Sequence, residues 1–302
     1  MAGVLFDKVI AALIQLPCGA HKADNILNLE RNIRVAADSG ADLVLLQELH
    51  DNRYLCQSED MACFDKAETI PGPTTKRLGK LAAELKLVVV GSVFEKRAPG
   101  LYHNTAVVLD RDGSLAGYYR KMHIPDDPGY YEKFYFTPGD TGFRPVATSI
   151  GNLGVLVCWD QWFPEAARSM ALAGADMLLY PTAIGWNPQD ELPEQSRQLD
   201  AWITVQRGHA ISNGLPLLTC NRVGIEPDPS GNSSGILFWG HSFACGPQGE
   251  ILAQAEEAEK MLLVEMDLKR IESVRNSWPF FRDRRIDAYE RLLLRFDDTD
   301  GD

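Results

Sequence analysis

A cysteine at the end of an apolar run, two glutamates and a lysine are the residues of this chain whose types and placement suit nucleophilic attack on a carbonyl carbon. Cys158 closes the run Leu153-Gly-Val-Leu-Val-Cys158 and is followed, after Pro164, by a stretch with helical spacing. A strand-to-helix turn of this kind exposes a nucleophile while nearby backbone N–H groups point toward developing negative charge. A free thiol is only a few per cent ionised at neutral pH, so it needs a base or a cation beside it. Glu48 follows the apolar run Asp42–Gln47, which puts a carboxylate at the carboxyl end of a strand, where ligands of α/β folds gather. Lys121 likewise follows a strand, in Gly117-Tyr-Tyr-Arg-Lys121, and Glu132 sits among the aromatics of the stretch from Tyr130 to Phe136. A buried acid there must be paired. Taken singly, each of these residues is also what an inert core thiol, a solvated acid or an exposed lysine looks like; their combination carries the chemistry.

Other chemistries fit less well. The histidines His21, His50, His103, His123, His209 and His241 show neither HxH nor HExxH spacing, so the sequence predicts no metal centre and no cofactor. The local sequence gives no support to a papain-like pairing of Cys158 with a histidine. The six cysteines (Cys18, Cys56, Cys63, Cys158, Cys220, Cys245) contain no CxxC pair, which argues for reduced thiols.

The elements that must position these groups follow from hydrophobic periodicity. The sequence predicts strands at 8–16, 42–46, 87–90, 105–109, 114–119, 146–150, 153–157, 177–180 and 215–220, with shorter ones near 240–245, 251–254 and 261–266. Helices are predicted from Ile26 to Ala36, Thr74 to Leu85, Glu165 to Ala173 and Gln198 to Ser212. Mixed strands and helices with no Pro/Gly/Ser-rich linker point to a single α/β domain over 1–302. The stretch from Lys121 to Arg144, with three prolines, three glycines and no steady period, reads as a long functional loop.

Composition narrows the partners. The chain has 302 residues, is 45% hydrophobic and 24% charged, and carries a net charge of -12, which disfavours nucleic acid and anionic membrane. No apolar run approaches the roughly 18 residues of a membrane helix. The beginning of the chain lacks the basic and apolar segments of a secretory signal, so the expected location is the cytoplasm.

The ordered set Gln47-Glu48-Leu49, Arg120-Lys121-Met-His123 and Cys158-Trp-Asp-Gln-Trp-Phe-Pro-Glu165 resembles the Glu-Lys-Cys constellation of the nitrilase superfamily of carbon-nitrogen hydrolases. Further motifs, Pro128-Gly-Tyr-Tyr-Glu132, Tyr180-Pro-Thr-Ala-Ile-Gly185 and Gln206-Arg-Gly-His-Ala210, are similar to those of its members that cleave carbamoylated polyamine precursors, and the likeness runs from about Lys8 to Leu293. The resemblance implies a four-layer αββα sandwich, with Cys158 as nucleophile, Glu48 as base, Lys121 at the oxyanion and Glu132 holding Lys121. It also implies a small cationic carbamoylated amine as substrate, met by Tyr54, Asp126, Tyr130, Trp159, Asp160, Thr182 and Trp186. Asp127 and Asp190 are further candidate partners for an ammonium group. After Cys158 the chain offers Trp-Asp-Gln rather than an arginine that would grip a carboxylate, which disfavours carbamoyl amino acids. An ω-amidase or β-ureidopropionase type of activity is the alternative, and a catalytically silent scaffold a further one.

Two positions depart from the resemblance: Asn187 stands where an acidic residue is common, and Ile286 where proline is usual. A homo-oligomer, at least a dimer, is implied, with the tail from about 278 to 302 in the subunit contact. Apolar Leu292, Leu293, Leu294 and Phe296 near the chain end support this, while the acidic end from Asp297 to Asp302 is expected to fray.

Overall fold

In the computed structural model, residues 7–297 are described, so the last five residues of the acidic end lie outside them. The first half of the chain supplies β1 (Lys8–Gln15), α1 (Lys22–Asp38), β2 (Leu43–Leu46), α2 (Pro73–Leu85), β3 (Val88–Ala98), β4 (Leu101–Leu109), β5 (Leu115–Arg120) and the one-turn α3 (Glu132–Tyr135). There follow β6 (Val146–Thr148), β7 (Gly151–Val155), α4 (Pro164–Leu172), β8 (Met177–Pro181), β9 (Gly185–Trp186) and the long α5 (Leu192–Asn213). The remainder contains β10 (Leu217–Cys220), β11 (Val223–Glu226), β12 (Ile236–Trp239), β13 (Phe243–Cys245), β14 (Ile251–Gln254), β15 (Lys260–Asp267) and α6 (Lys269–Ser277).

Two six-stranded sheets result, in the orders β15-β1-β2-β3-β4-β5 and β14-β13-β10-β8-β7-β6. Each has a parallel centre, β1-β2-β3 in one and β7-β8-β10 in the other, with antiparallel strands outside it. Strand alternation explains the layering. Val9, Ala11 and Leu13 of β1, with Leu43, Leu45, Val88 and Val90, face the second sheet and meet Leu153, Val155, Met177 and Leu217. The intervening residues Ala12, Ile14, Val44, Leu46 and Val89 face outward, where Leu29, Ile33 and Ala36 of α1 and Leu78, Leu81 and Ala82 of α2 cover them. The second sheet is covered in turn by α4 and α5, through Ala166, Met170, Trp202 and Ala210. Strands buried on both faces read as continuous apolar runs, which is why these were visible in the sequence. The order helix, sheet, sheet, helix is the expected αββα sandwich.

Several elements differ from expectation. β3 continues to Ala98 because the polar residues that seem to end it are paired: Glu95 is buried against Arg120, 2.6 Å away, and accepts from Thr105. α5 starts six residues early, with Pro193 in its first turn, where a missing N–H costs nothing. The small sheet β11-β12-β9 and α6 were not foreseen. The stretch between Lys121 and Arg144 is largely irregular as expected, apart from α3 and a bridge between Asp127 and Tyr130.

Candidate active site

Carboxyl ends of strands from both sheets converge. Glu48 lies just past β2, Lys121 directly past β5 and Cys158 three residues past β7, while α3 brings in Glu132 from the long loop. The backbone N–H of Glu48 donates to the carbonyl of Thr182, just past β8, and so ties one sheet to the other at this point. Lys121 Nζ lies 2.8 Å from Glu48 Oε1 and 2.9 and 2.7 Å from the two oxygens of Glu132. Asn104 Nδ2 also donates to Glu48 Oε1, at 2.6 Å, and the Tyr54 hydroxyl donates to Glu132 Oε1 at 2.7 Å. Glu48, Lys121 and Asn104 are completely buried, and Glu132, Tyr54 and Cys158 nearly so. Glu48 Oε2 is the exception in this network, being buried with no hydrogen-bond partner among the described residues.

Burial in this setting sets the charge states. It pushes the Cys158 thiol well above its ordinary pKa, and the neighbouring Glu48 and Glu132 reinforce that while Lys121 opposes it. Burial alone lowers the Lys121 pKa, yet Glu132, Glu48 and Cys158 together raise it well above the usual lysine value, so it is an ammonium. Glu132 is raised by burial and by Glu48, against the pull of Lys121 and Tyr54. The resting site therefore holds a protonated thiol, a fixed cation and an acid, Glu48, with one oxygen free of partners among the described residues, a set able to make a thiolate on demand and stabilise an oxyanion.

The turn bearing Cys158 is strained. Its φ is 44°, in the left-handed region that residues with a Cβ seldom occupy. A single 3₁₀ turn, Cys158–Trp162, follows, and the thiol points to the carbonyl of Ala183, 3.8 Å away. Asp160 fastens this turn. Its Oδ2 accepts from Val157 N–H at 2.9 Å and from the Tyr119 hydroxyl at 2.9 Å, and its Oδ1 meets His123 N–H at 3.0 Å and His123 Nδ1 at 2.7 Å. The His123 ring stacks on Phe163 with centroids 3.7 Å apart. One carboxyl thus joins the segment of Lys121 to the segment of Cys158.

A profile of the carbon-nitrogen hydrolase family matches residues 10–276. The chain belongs to that family. It is a cysteine-dependent hydrolase of carbon-nitrogen bonds. A protein of Solanum lycopersicum named N-carbamoylputrescine amidase is 46% identical over 94% of this chain and 95% of its own length. A citrullinase of Francisella tularensis is 39% identical over 94% of this chain and 98% of its own. The crystal structure of a carbon-nitrogen hydrolase from Helicobacter pylori G27 superposes with a TM-score of 0.94 at 52% identity, covering 96% of this chain and 99% of that one.

A cavity of about 760 Å³ is lined by Gln57, Tyr130, Tyr131, Asn187, Asp228 and neighbouring residues, Tyr131 directly preceding Glu132 in the chain. Tyr130 connects the cavity to the buried groups: its ring is 5.6 Å from that of Tyr54, whose hydroxyl donates to Glu132, and its own hydroxyl is hydrogen-bonded to Gly185. The cavity lining includes Glu59, Asp60 and Asp228 and, among the described residues, no lysine, arginine or histidine.

The residues expected to meet substrate separate into groups. Tyr130 lines the cavity, and Trp159 is half-buried directly after Cys158. Tyr54 touches Glu132 rather than the cavity. Three others are engaged by contacts within the protein. Asp160 is fully buried and its oxygens accept from Val157, Tyr119 and His123, so it fastens the turn. Thr182 is fully buried, with its hydroxyl on Tyr180, Gln161 and Thr219. Trp186 donates to the Gln195 carbonyl and packs on Trp239, 5.3 Å between centroids. Asp126 is exposed on its loop, outside the cavity lining. Asn104 was missed because its strand seemed to begin at Thr105; a polar His-Asn-Thr run leading into Ala106–Leu109 was the available signal.

Proposed function

We propose that this enzyme hydrolyses the carbamoyl group of N-carbamoylputrescine or a close cationic analogue, releasing putrescine, ammonia and carbon dioxide. The observation that supports the substrate assignment is the charge of the cavity walled by Tyr130: Glu59, Asp60 and Asp228 line it and no cationic side chain among the described residues does, which suits an ammonium-bearing chain and repels a carboxylate. Similarity to the tomato enzyme named for that substrate supports the same reading.

In this mechanism Glu48 takes the Cys158 proton on its free Oε2, and the thiolate attacks the carbamoyl carbon. Lys121 Nζ and the backbone N–H of Trp159 stabilise the oxyanion; donors of this kind are worth about 3 kcal/mol each. Glu48 returns its proton to the departing nitrogen, which leaves as ammonia. Water, deprotonated by Glu48, attacks the S-carbamoyl carbon and frees the thiolate and an alkyl carbamate, which breaks down to carbon dioxide and the amine. Glu132 keeps Lys121 in place throughout.

We further propose at least a homodimer that uses the tail, since Ile286 is 74%, Leu293 91% and Phe296 77% exposed, an apolar display that water disfavours. Six free, buried thiols suit a reducing compartment such as the cytoplasm. No helix among the described residues is long and apolar enough to cross a membrane.

The test is ammonia and amine release from N-carbamoylputrescine, citrulline, N-carbamoyl-β-alanine and an ω-amide by the pure protein. N-carbamoylputrescine is expected to give the highest kcat/KM, and Cys158→Ala to give none. Faster turnover of either carboxylate-bearing ureide would refute the cavity argument, and activity surviving in Cys158→Ala would refute the mechanism.

A further inference from the structure

The segment between Glu48 and Tyr54 has no regular structure, yet it carries the proposed base at one end and the phenol that fixes Glu132 at the other. Leu49, within it, has a φ of 47°, so the turn adopts a conformation that a leucine does not choose on its own. Something must hold it. Arg222, two residues past β10 and completely buried, reaches into this turn. Its Nη2 donates to the carbonyls of Glu48 at 3.0 Å and Leu49 at 2.8 Å, and its Nη1 donates to the carbonyl of Asn52 at 2.9 Å. The same Nη1 lies 2.6 Å from Glu226 Oε1, while Glu226 Oε2 accepts from Tyr54 N–H at 2.6 Å. The guanidinium carbon lies 5.4 Å from the Phe238 ring centroid and 6.0 Å from that of Tyr54, so its aim is also fixed by packing.

We infer that Arg222 and Glu226 form a positioning pair that sets both carboxylates of the reaction, Glu48 through its own backbone and Glu132 through Tyr54. The chain of contacts is continuous: Arg222 to Glu226, Glu226 to the Tyr54 amide, the Tyr54 hydroxyl to Glu132, and Glu132 to Lys121. Every member is at most 1% exposed, so no water replaces a lost link. The planar fork of arginine suits this task because it spans three carbonyls and a carboxylate at once; a lysine, with a single nitrogen, pairs with Glu226 but cannot bridge the turn. The pair touches neither thiol nor substrate. Its effect is to keep Glu48 Oε2 within reach of the thiol, and reactions of this type lose about 100-fold when a group moves by an ångström.

The inference rests on the proposed roles of Glu48 and Glu132, and the experiment separates the two. Arg222→Lys, Glu226→Gln and the double variant R222M/E226M, which leaves no orphan charge, are compared with Glu48→Gln. Two quantities are read: kcat and KM on the best amide, and the rate at which iodoacetamide alkylates Cys158, followed by peptide mass spectrometry. Alkylation needs no substrate and reports how readily the thiol gives up its proton. The expected result is a fall in kcat of about 10- to 100-fold in each variant, with KM changed less than about threefold and alkylation slowed in parallel, while circular dichroism shows folded protein. Equal losses of kcat and gains of KM, or alkylation at the parent rate, would mark a merely structural role and overturn the inference. If R222M/E226M does not fold, the two single variants decide by the same readings. Should Glu48→Gln leave both readings intact, the proposed base is wrong; if it abolishes them and the Arg222 and Glu226 variants do not, the positioning pair alone is wrong.

Discussion

Replacing Asp160 by asparagine removes almost no volume and yet is expected to damage both stability and catalysis. Four polar groups converge on the Asp160 side chain, two per oxygen: Val157 N–H and the Tyr119 hydroxyl on one, His123 N–H and Nδ1 on the other. Asparagine offers one oxygen and one amide group. The Tyr119 hydroxyl can rotate to accept, and the His123 ring can change tautomer, but a backbone N–H cannot. Whichever way the amide turns, either Val157 or His123 is left with its N–H against another donor in a fully buried place. An orphaned buried donor costs about 1–3 kcal/mol, and in a chain of a few hundred residues each kcal/mol lowers Tm by roughly 2–4 °C. Asp160→Ala, which orphans all four, should cost several times more. Because Val157 directly precedes Cys158, the strained turn should loosen and kcat should fall on the order of 10- to 100-fold. Differential scanning calorimetry of the three proteins, with kcat measured well below the lower Tm, tests both parts. An Asp160→Asn variant with the Tm and kcat of the parent would refute the reasoning.

Two further outcomes follow from other buried groups. Lys121→Met leaves Glu48 and Glu132 buried without their cation, so urea unfolding should show a loss of about 3–5 kcal/mol together with loss of turnover; adding Glu132→Gln should restore part of the stability and none of the activity. His50 is buried, and burial lowers its pKa from 6.5 to about 4. The unfolded chain therefore takes up this proton first, so the folded state keeps its full advantage above pH 6.5 and loses roughly 3 kcal/mol of it as pH falls toward 4. In urea titrations at pH 7 and pH 4.5, His50→Leu should show a smaller acid-induced loss than the parent; equal losses would rule this group out.

How legible the site was in the sequence depends on where each residue sits. Glu48, Lys121 and Cys158 stand where apolar runs end, and a polar group at the carboxyl end of a buried strand is visible without coordinates. Arg222 obeys the same rule after the run Leu215–Cys220 and was overlooked, although a buried arginine there has few explanations besides a structural or catalytic one. Asn104 lies inside a strand, where its polarity made the strand look shorter than it is. The substrate residues were harder. Whether Asp160 meets a ligand or a backbone N–H depends on the rotation of one turn, and Trp186 is claimed by Trp239, more than 50 residues away, through β12, a strand too short to announce itself. The layered fold was readable because its strands are apolar on both faces; the small third sheet was not, since its strands have only two to four residues.

The hydrogen bond from Glu48 N–H to the Thr182 carbonyl, spanning the two sheets, bears on when during its synthesis the protein becomes reactive. The proposed nucleophile is delivered by one half of the sandwich, and the groups proposed to activate it by the other. A ribosome-bound chain that has been made only through β5 and Lys121 thus owns an acid and an ammonium but neither a thiol to use them nor β15, the edge strand of their own sheet, and a detached second half owns an inert thiol. Turnover begins only when the halves dock, so catalytic rate counts completely assembled molecules and ignores partly folded ones.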